Sequence, residues 1–530
     1  MDEKIKEWGT LLAEYKSARN SLLNVSRLPP EILGDIFRRN VALEGTFGGL
    51  EDRSYNFLLV CRHWRNVAWN TPEVWSFWGN SLEDWNKWYG IRPTAPLDLV
   101  LKEESFAGNT LSLSLRTALQ DRVARDAIRR VHLHGEIYGH LPSIISSLAA
   151  NEETQSSSVE SVVVENQTKD TFADVSDLFT YHHFPKLQHL KLVRCEISSW
   201  DLLVSRTSTL TTLFLHLGNP TPTPTMSQLL SILDSNPALQ EISLYGCAIP
   251  EDSGGGGSSP RASLQQLKKV LLAGDPRRIF GLLSRLDHPR NMGHLEIHLF
   301  SCTLDDISGI MGPYLREYLR RRGRSPNGLG VSLFPYEEES IVFSVGDVPV
   351  LDFSIPGPVY MGVFVEISIQ MDPVPPGRQL KEAMLNLVAH APPEEIVYLQ
   401  AGCNPVLMAD VPTRLPHIRA LNLLCADLHL AFPEPIPDSD GHTFPSLQHV
   451  NLSRVSARQD DWSPLTAFLS RRASSGYQPL ILETSVFNPP HPVREDIRRM
   501  VRELRTDDDH QLRTDGCVVL LHTPPPPRVF

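Results

Sequence analysis

The sequence predicts an α/β chain in two parts: a short helical module near the N-terminus, followed by a curved solenoid of parallel strands with outer helices. Three observations carry this. A proline-led apolar stripe begins at Leu28 and recurs at helical spacing. Alternation of apolar and polar residues sets in at Pro96. From there a leucine skeleton returns every 23 to 31 residues between Leu133 and Leu299, and again from Leu423 to Leu452. At 530 residues the chain is too long for a single core. An apolar content of 41% with 21% charged residues is that of a globular chain and not of a disordered one.

Residues 1–24 form the first segment, a lead-in helix. Ile5, Trp8, Leu12, Tyr15, Ala18 and Leu22 fall on one face of residues 3–23. Such a stripe packs on a neighbour or on a second copy, and packing on the next module is the simpler expectation.

Residues 25–80 form that module. Leu28, Pro29, Pro30 and Glu31 open a helix, where proline is tolerated because the first-turn N–H groups have no intrahelical partner. Ile32, Leu33, Ile36 and Phe37 continue it as an apolar stripe. A second helical run follows, with Phe57, Leu58, Val60, Cys61, Trp64, Val67 and Ala68, and stops at Asn70-Thr71-Pro72. Val74, Trp75 and Trp78 make a short apolar tail. About fifty residues cannot bury this many large side chains among themselves, so the surplus needs a partner or a neighbouring unit.

The blocks LPPEIL…IF, VCRHWRNVA and P..W resemble, in that order, the F-box, over about a tenth of the chain. The resemblance implies a module that docks onto the Skp-type adaptor of SCF ubiquitin-ligase complexes and, through it, onto a cullin–RING ligase. The implied adaptor-binding set is Leu28, Pro29, Pro30, Ile32, Leu33, Ile36, Phe37, Leu58, Val60, Cys61, Trp64 and Trp75, some of which must form the module's own core. Val41 to Asn56 departs from the pattern by being longer and more polar than a compact F-box turn.

In residues 81–95 Ser81 can cap a short helix carrying Leu82, Trp85, Trp88 and Tyr89. Six of the nine tryptophans lie between Trp64 and Trp88, suiting a wedge of core between module and repeats. Pro96 to Leu101 reads as a first strand. This passage also resembles the expanded F-box families of mushroom-forming fungi.

Residues 96–523 carry the repeats. Phe184 to Ile197, Pro237 to Ile249 and Phe444 to Leu452 share a skeleton similar to that of leucine-rich repeats, LxxLxLxx(C/N)xL. Equivalent strand residues are expected at Leu133, Val164, Leu192, Leu215, Leu244, Leu272, Leu299, Leu423 and Leu452. No such repeat buries its own strand and helix, so stacking must supply the core. Met226 to Leu233 and Ile279 to Leu283 read as outer helices, and Ser253 to Pro260 as a flexible loop within the period. Val331 to Gln370 is strand-rich but does not fit the frame, as degenerate repeats or as an insertion. A terminal cap is expected from a helix with Val493, Ile497, Met500, Val501 and Leu504 and a strand from Cys517 to Leu521, before a proline-rich tail at 524–530.

Composition and motifs exclude several function classes. A net charge of −12 argues against a general nucleic-acid or membrane-surface binder. The seven cysteines include no CxxC pair; Cys195, Cys247 and Cys302 share one slot of the repeat, where a thiol packs as a small hydrophobe. The charged start Met1-Asp2-Glu3-Lys4 does not read as a signal peptide, and no apolar run in this sequence reaches the length needed to span a bilayer. The expected location is therefore cytoplasm, nucleus or both. His132 and His134 alternate with Val131 and Leu133 and should face outward on a strand; His294 and His298 sit on another. A solvated sheet face is the expectation for both pairs, with no metal. The basic run Arg320 to Arg324 suits either a helix C-terminus or a phosphate or nuclear-localisation patch. No catalytic or cofactor signature stands out, so an enzyme is not expected. The function expected is a substrate-recognition subunit of an SCF-type cullin–RING E3 ubiquitin ligase whose solenoid holds an unknown target protein. The alternative is a repeat scaffold for protein interactions without a ligase role.

Overall fold

The computed structural model describes residues 2–22, 28–46, 60–71, 74, 77–78, 97–102, 127–135, 158–167, 172–181, 184–217, 223–251, 261–289, 292–336, 340–348, 362–371, 385–402, 414–424, 428, 432, 444–453, 462–484 and 491–506. Leu58, Trp75, the helix expected at Leu82 to Tyr89, the glycine loop, the strand Cys517 to Leu521 and the proline-rich tail lie outside them. The chain divides into two compact units, Met1–Pro250 with Ala262–Leu264, and Glu251–Arg261 with Gln265–Phe530.

The first unit opens with helices α1 (Asp2–Ser21), α2 (Pro30–Thr46) and α3 (Arg62–Trp69). Strands β1 (Phe77–Trp78), β2 (Leu97–Lys102), β3 (Ile128–Gly135) and β4 (Ser161–Asn166) follow. Next come β5 (Ala173–Asp174), α4 (Ser176–Tyr181), β6 (His189–Val193), β7 (Cys195–Glu196) and α5 (Trp200–Arg206). The unit closes with β8 (Thr212–Leu217), α6 (Met226–Asp234), β9 (Glu241–Gly246) and β10 (Ala262–Ser263). Strands β1, β2, β3, β4, β6, β8 and β9 pair in that order, every pair parallel.

Leu101, Leu133, Val164, Leu192, Leu215 and Leu244 stand side by side across this ladder and are buried. The leucine skeleton thus sets the strand register, because a one-residue slip would turn every buried side chain outward. Helix α6 supplies the other layer, burying Met226, Leu229, Leu230, Ile232 and Leu233, and its Thr225–Gln228 capping box fixes where it starts. Between repeats, the fully buried Asn236 accepts from the Leu210 N–H at 3.0 Å and donates to the Ile232 carbonyl at 2.8 Å. One side chain so satisfies buried backbone groups in two successive repeats.

The second unit begins with β11 (Lys269–Gly274), α7 (Pro276–Leu283), β12 (Leu286–Asp287) and β13 (His294–Cys302). Asp275 caps α7 through the Arg277 and Arg278 amides, with proline in the first turn. Then come α8 (Gly312–Arg322), β14 (Leu329–Tyr336), β15 (Ser340–Asp347), β16 (Gly362–Met371) and β17 (Ile396–Gly402). The last elements are β18 (Ala420–Leu424), β19 (His449–Ser453), α9 (Ser463–Ser474), β20 (Ile481–Thr484), α10 (His491–Met500) and β21 (Glu503–Thr506). The ladder reads β11, β13, β16, β15, β14, β17, β18, β19, β20, β21, and only β15 runs antiparallel to both its neighbours.

The stretch that did not fit the repeat frame is therefore a three-stranded meander inserted into a parallel ladder. Its strands enter in reverse order, so β13 meets β16 and β14 meets β17. Four further expectations are corrected. Leu272 stands beside Ile297 and not Leu299, because β13 is two residues longer before its turn and its register with β16 shifts between Leu299 and Cys302. Val60 and Cys61, expected within the second helical run, precede a helix that starts at Arg62, while Phe57 and Leu58 lie outside the described residues. Among the described residues the first strand is β1, which takes Trp78 out of the apolar tail and into the sheet. Leu504 belongs to β21 and not to the terminal helix.

The shared cysteine slot has a backbone cause. Arg194, Gly246 and Ser301, each just before a cysteine, have φ of 54°, 57° and 52°. This left-handed residue bends the chain at the end of the strand. Of the cysteines that follow it, Cys195 and Cys302 are buried and Cys247 is half-buried.

Candidate functional site

The N-terminal module closes around Leu33, Phe37, Val67, Ala68 and Val74, with Leu28 and Trp64 packed against this cluster. Leu33 and Phe37 sit one turn apart on α2 and face α3, where the Trp64 ring lies 5.2 Å from that of Phe37. Gly34 allows the helices to meet: a Cβ there would stand 2.8 Å from Thr71 Oγ1. Pro29 leads α2 in, its carbonyl accepting from the Ile32 and Leu33 amides at 3.0 and 3.1 Å. At α3 the Cys61 thiol caps the helix, accepting from the Trp64 amide at 3.5 Å.

This geometry sorts the expected adaptor-facing set. Leu33 and Phe37 are 0% and 2% exposed and form the module's own core. Ile32 and Ile36 are 50% and 44% exposed on the adjoining face of α2, about 100° round the helix from the core stripe, with exposed Pro29 and Pro30 at its start. Leu28, Val60, Cys61 and Trp64 are intermediate; Leu58 and Trp75 lie outside the described residues. The Trp64 indole Nε1 is buried with no hydrogen-bond partner among the described residues.

The stripe of α1 does not pack on this core. Ile5, Trp8, Leu12, Tyr15 and Leu22 all stand exposed. The helix meets the module at its end, where Asn20 Nδ2 donates to the Val60 carbonyl.

A second cluster stands on the outward face of the first unit's sheet. His132 and His134 project from β3 on either side of the buried Leu133, and Glu165 is the register partner of His134 on β4. Glu165 Oε2 lies 2.9 Å from His134 Nδ1 and 3.7 Å from His132 Nε2, and Oε1 lies 2.5 Å from Lys191 Nζ on β6. The His132 and His134 imidazoles, together with Lys191, hold the Glu165 carboxyl far below the usual carboxylate range. Among the described residues this is the one group of three side chains spaced to share a metal ion.

The other histidine pair is arranged differently. His294 and His298 flank Glu296 on β13, at 3.4 and 2.9 Å, and all three share a sheet face. Across the ladder stands Glu366, whose pKa is raised by its burial and by the Glu296 charge. The basic run is paired with acids: Arg320 and Arg321 both reach Glu317, Arg322 pairs with Asp347, and Arg324 lies 3.5 Å from Glu395. Among the described residues no helix is long and apolar enough to cross a membrane.

No family model matches the chain, and no curated protein matches it by sequence. Among solved structures it is similar to the leucine-rich repeat-containing protein LegL7 from Legionella pneumophila, at 11% identity over 63% of this chain and 94% of that one, with a TM-score of 0.25. It is also similar to the structure of a TLR13–ssRNA13 complex, at 12% identity over 72% of this chain and 49% of that one, with a TM-score of 0.28. Scores this low carry no functional weight. The repeat character of the chain rests on its own strand register, in which the leucine skeleton lines a parallel α/β ladder.

Proposed function

We propose that this chain is the substrate-recognition subunit of an SCF-type cullin–RING E3 ubiquitin ligase, acting in cytoplasm, nucleus or both. Its N-terminal F-box-like module docks the Skp-type adaptor, and its repeats hold a target protein. The observation that carries the reading is the division of α2 into two apolar faces. Leu33 and Phe37 close the module's core, while Ile32 and Ile36, with Pro29 and Pro30 beside them, remain on the outside. A helix that is apolar on both faces has one face for its own fold and one for another protein.

The chain would supply no chemical group to ubiquitin transfer. Holding a target lysine near the charged conjugating enzyme raises its local concentration, and that positioning supplies the rate. Co-expression of the full chain with a Skp-type adaptor tests the reading. A stable one-to-one complex on gel filtration is expected; a folded chain that purifies alone from adaptor-overproducing cells would overturn it in favour of a repeat scaffold without a ligase role.

A further inference from the structure

We propose that His132, His134 and Glu165 form a zinc-class cation site on the outward face of the first unit's sheet, a site independent of the N-terminal module. Two adjacent strands build it. On β3 the residues at i and i+2 share a face, so both imidazoles leave the sheet on the same side. The register of β3 with β4 then sets Glu165 directly beside His134.

The spacing suits one ion. Zinc–nitrogen and zinc–oxygen bonds of about 2.1 Å at tetrahedral angles put ligand atoms roughly 3.4 Å apart. Glu165 Oε2 lies 2.9 Å from His134 Nδ1 and 3.7 Å from His132 Nε2, on either side of that value. All three ligand atoms lie within 4.8 Å of one another. Small side-chain rotations therefore suffice to close the site without moving the strands.

The surroundings suit the same assignment. His132 Nε2 is shielded from solvent, has no hydrogen-bond partner among the described residues and lies 3.7 Å from Glu165 Oε2, so this ring nitrogen is aimed into the cluster with no competing protein bond. Lys191 takes Glu165 Oε1 and leaves Oε2 to the imidazoles. The far nitrogen of His134, Nε2, lies 2.8 Å from the Gln167 side-chain amide. A histidine that ligates through Nδ1 carries its proton on Nε2 and needs an acceptor there, which the Gln167 amide oxygen provides after a flip of the group. Two imidazoles with one carboxylate favour zinc among the common divalent ions, and three protein ligands leave a fourth position to water.

The test is zinc titration of the full chain by calorimetry in a non-chelating buffer, with cobalt substitution to read the ligand set from its visible spectrum. One zinc per chain is expected, with a cobalt spectrum of tetrahedral nitrogen–oxygen type and no thiolate charge-transfer band. His134→Ala and Glu165→Gln should each abolish this binding, and Gln167→Ala should weaken it about tenfold. His132→Asn, which keeps the size and polarity of the position, guards against loss of fold in a His132→Ala variant, with circular dichroism as the check. Replacing His294 and His298 together by alanine should leave the stoichiometry and affinity unchanged. Absence of zinc binding by the folded wild-type chain would overturn the proposal, as would binding that survives Glu165→Gln or disappears with the His294 and His298 pair.

Discussion

Replacing Ile32 and Ile36 by alanine separates the two faces of α2, and the structure sets the size of each effect. Each isoleucine is about half exposed, so truncation removes roughly half of the 1.5–3 kcal/mol that full burial of such a side chain contributes. Alanine's helix propensity returns a few tenths of a kcal/mol, leaving a folding cost near 1 kcal/mol or less per site. If the two side chains are central anchors of an adaptor interface, each truncation costs about 2 kcal/mol of binding, or roughly thirtyfold in Kd. Leu33→Ala should behave in the opposite way. Its side chain is fully buried among Phe37, Val67, Ala68 and Val74, and losing it costs about 2–5 kcal/mol of module stability. Calorimetric titration with purified adaptor reads the first quantity, and hydrogen exchange of the amides in α2 and α3 reads the second. The expected pattern is weak binding with native protection for the isoleucine variants, and fast exchange for Leu33→Ala. Isoleucine variants that are fully protected and bind the adaptor within threefold of wild type would refute the assignment of the outer face.

Two further predictions concern the ladder. Asn236→Ala leaves the buried Leu210 N–H without its acceptor, and should cost about 1–3 kcal/mol in chemical denaturation together with faster exchange of that amide; unchanged exchange at Leu210 would discredit the bridge between repeats. Hydrogen bonding to Glu296 raises the pKa of His294 above its usual 6.5, against the opposing effects of burial and, more weakly, of Lys269 on β11, with His298 and Glu366 also facing the cluster. A raised pKa means the folded state binds the proton more tightly than the unfolded state, so the stabilisation is complete below about pH 6.5 and fades as pH rises through the raised value. The stability difference between wild type and His294→Gln should follow that curve; a difference that grows with pH would contradict it.

Much of the ladder was legible because burial enforces period and register together. The repeat spacing alone aligns Leu133, Val164, Leu192, Leu215 and Leu244, and they stand in one row. Leu299 falls out of line because the sequence shows its turn but not the two extra strand residues before it. The meander escaped because a pattern of apolar strands carries no sign of direction, and only pairing partners reveal that β15 runs backwards. In the N-terminal module, a helical pattern cannot say which of two apolar faces closes on α3, so Ile32 and Leu33 look alike until the packing is known. The second cluster was half visible. Strand alternation turns the two histidines outward, and adding one repeat of 31 residues to His134 reaches Glu165, a step implied by the alignment of Leu133 with Val164.

The reversed meander bears on how this chain folds as it leaves the ribosome. In the first unit each new strand pairs with one made 20 to 30 or so residues earlier, so order can spread strand by strand. At β13 that progress halts, because the partner of Leu295 is Val365, about 70 residues downstream. At synthesis rates of roughly 5–20 residues per second, the downstream side of β13 stays unpaired for several seconds. Loop-closure entropy adds less than about 1 kcal/mol to the delay, so the hazard is one of time and exposure and not of final stability. During that interval the free edge of β13 is a template for the wrong strand, and chaperone dependence during synthesis should concentrate on nascent chains that end between residues 302 and 371.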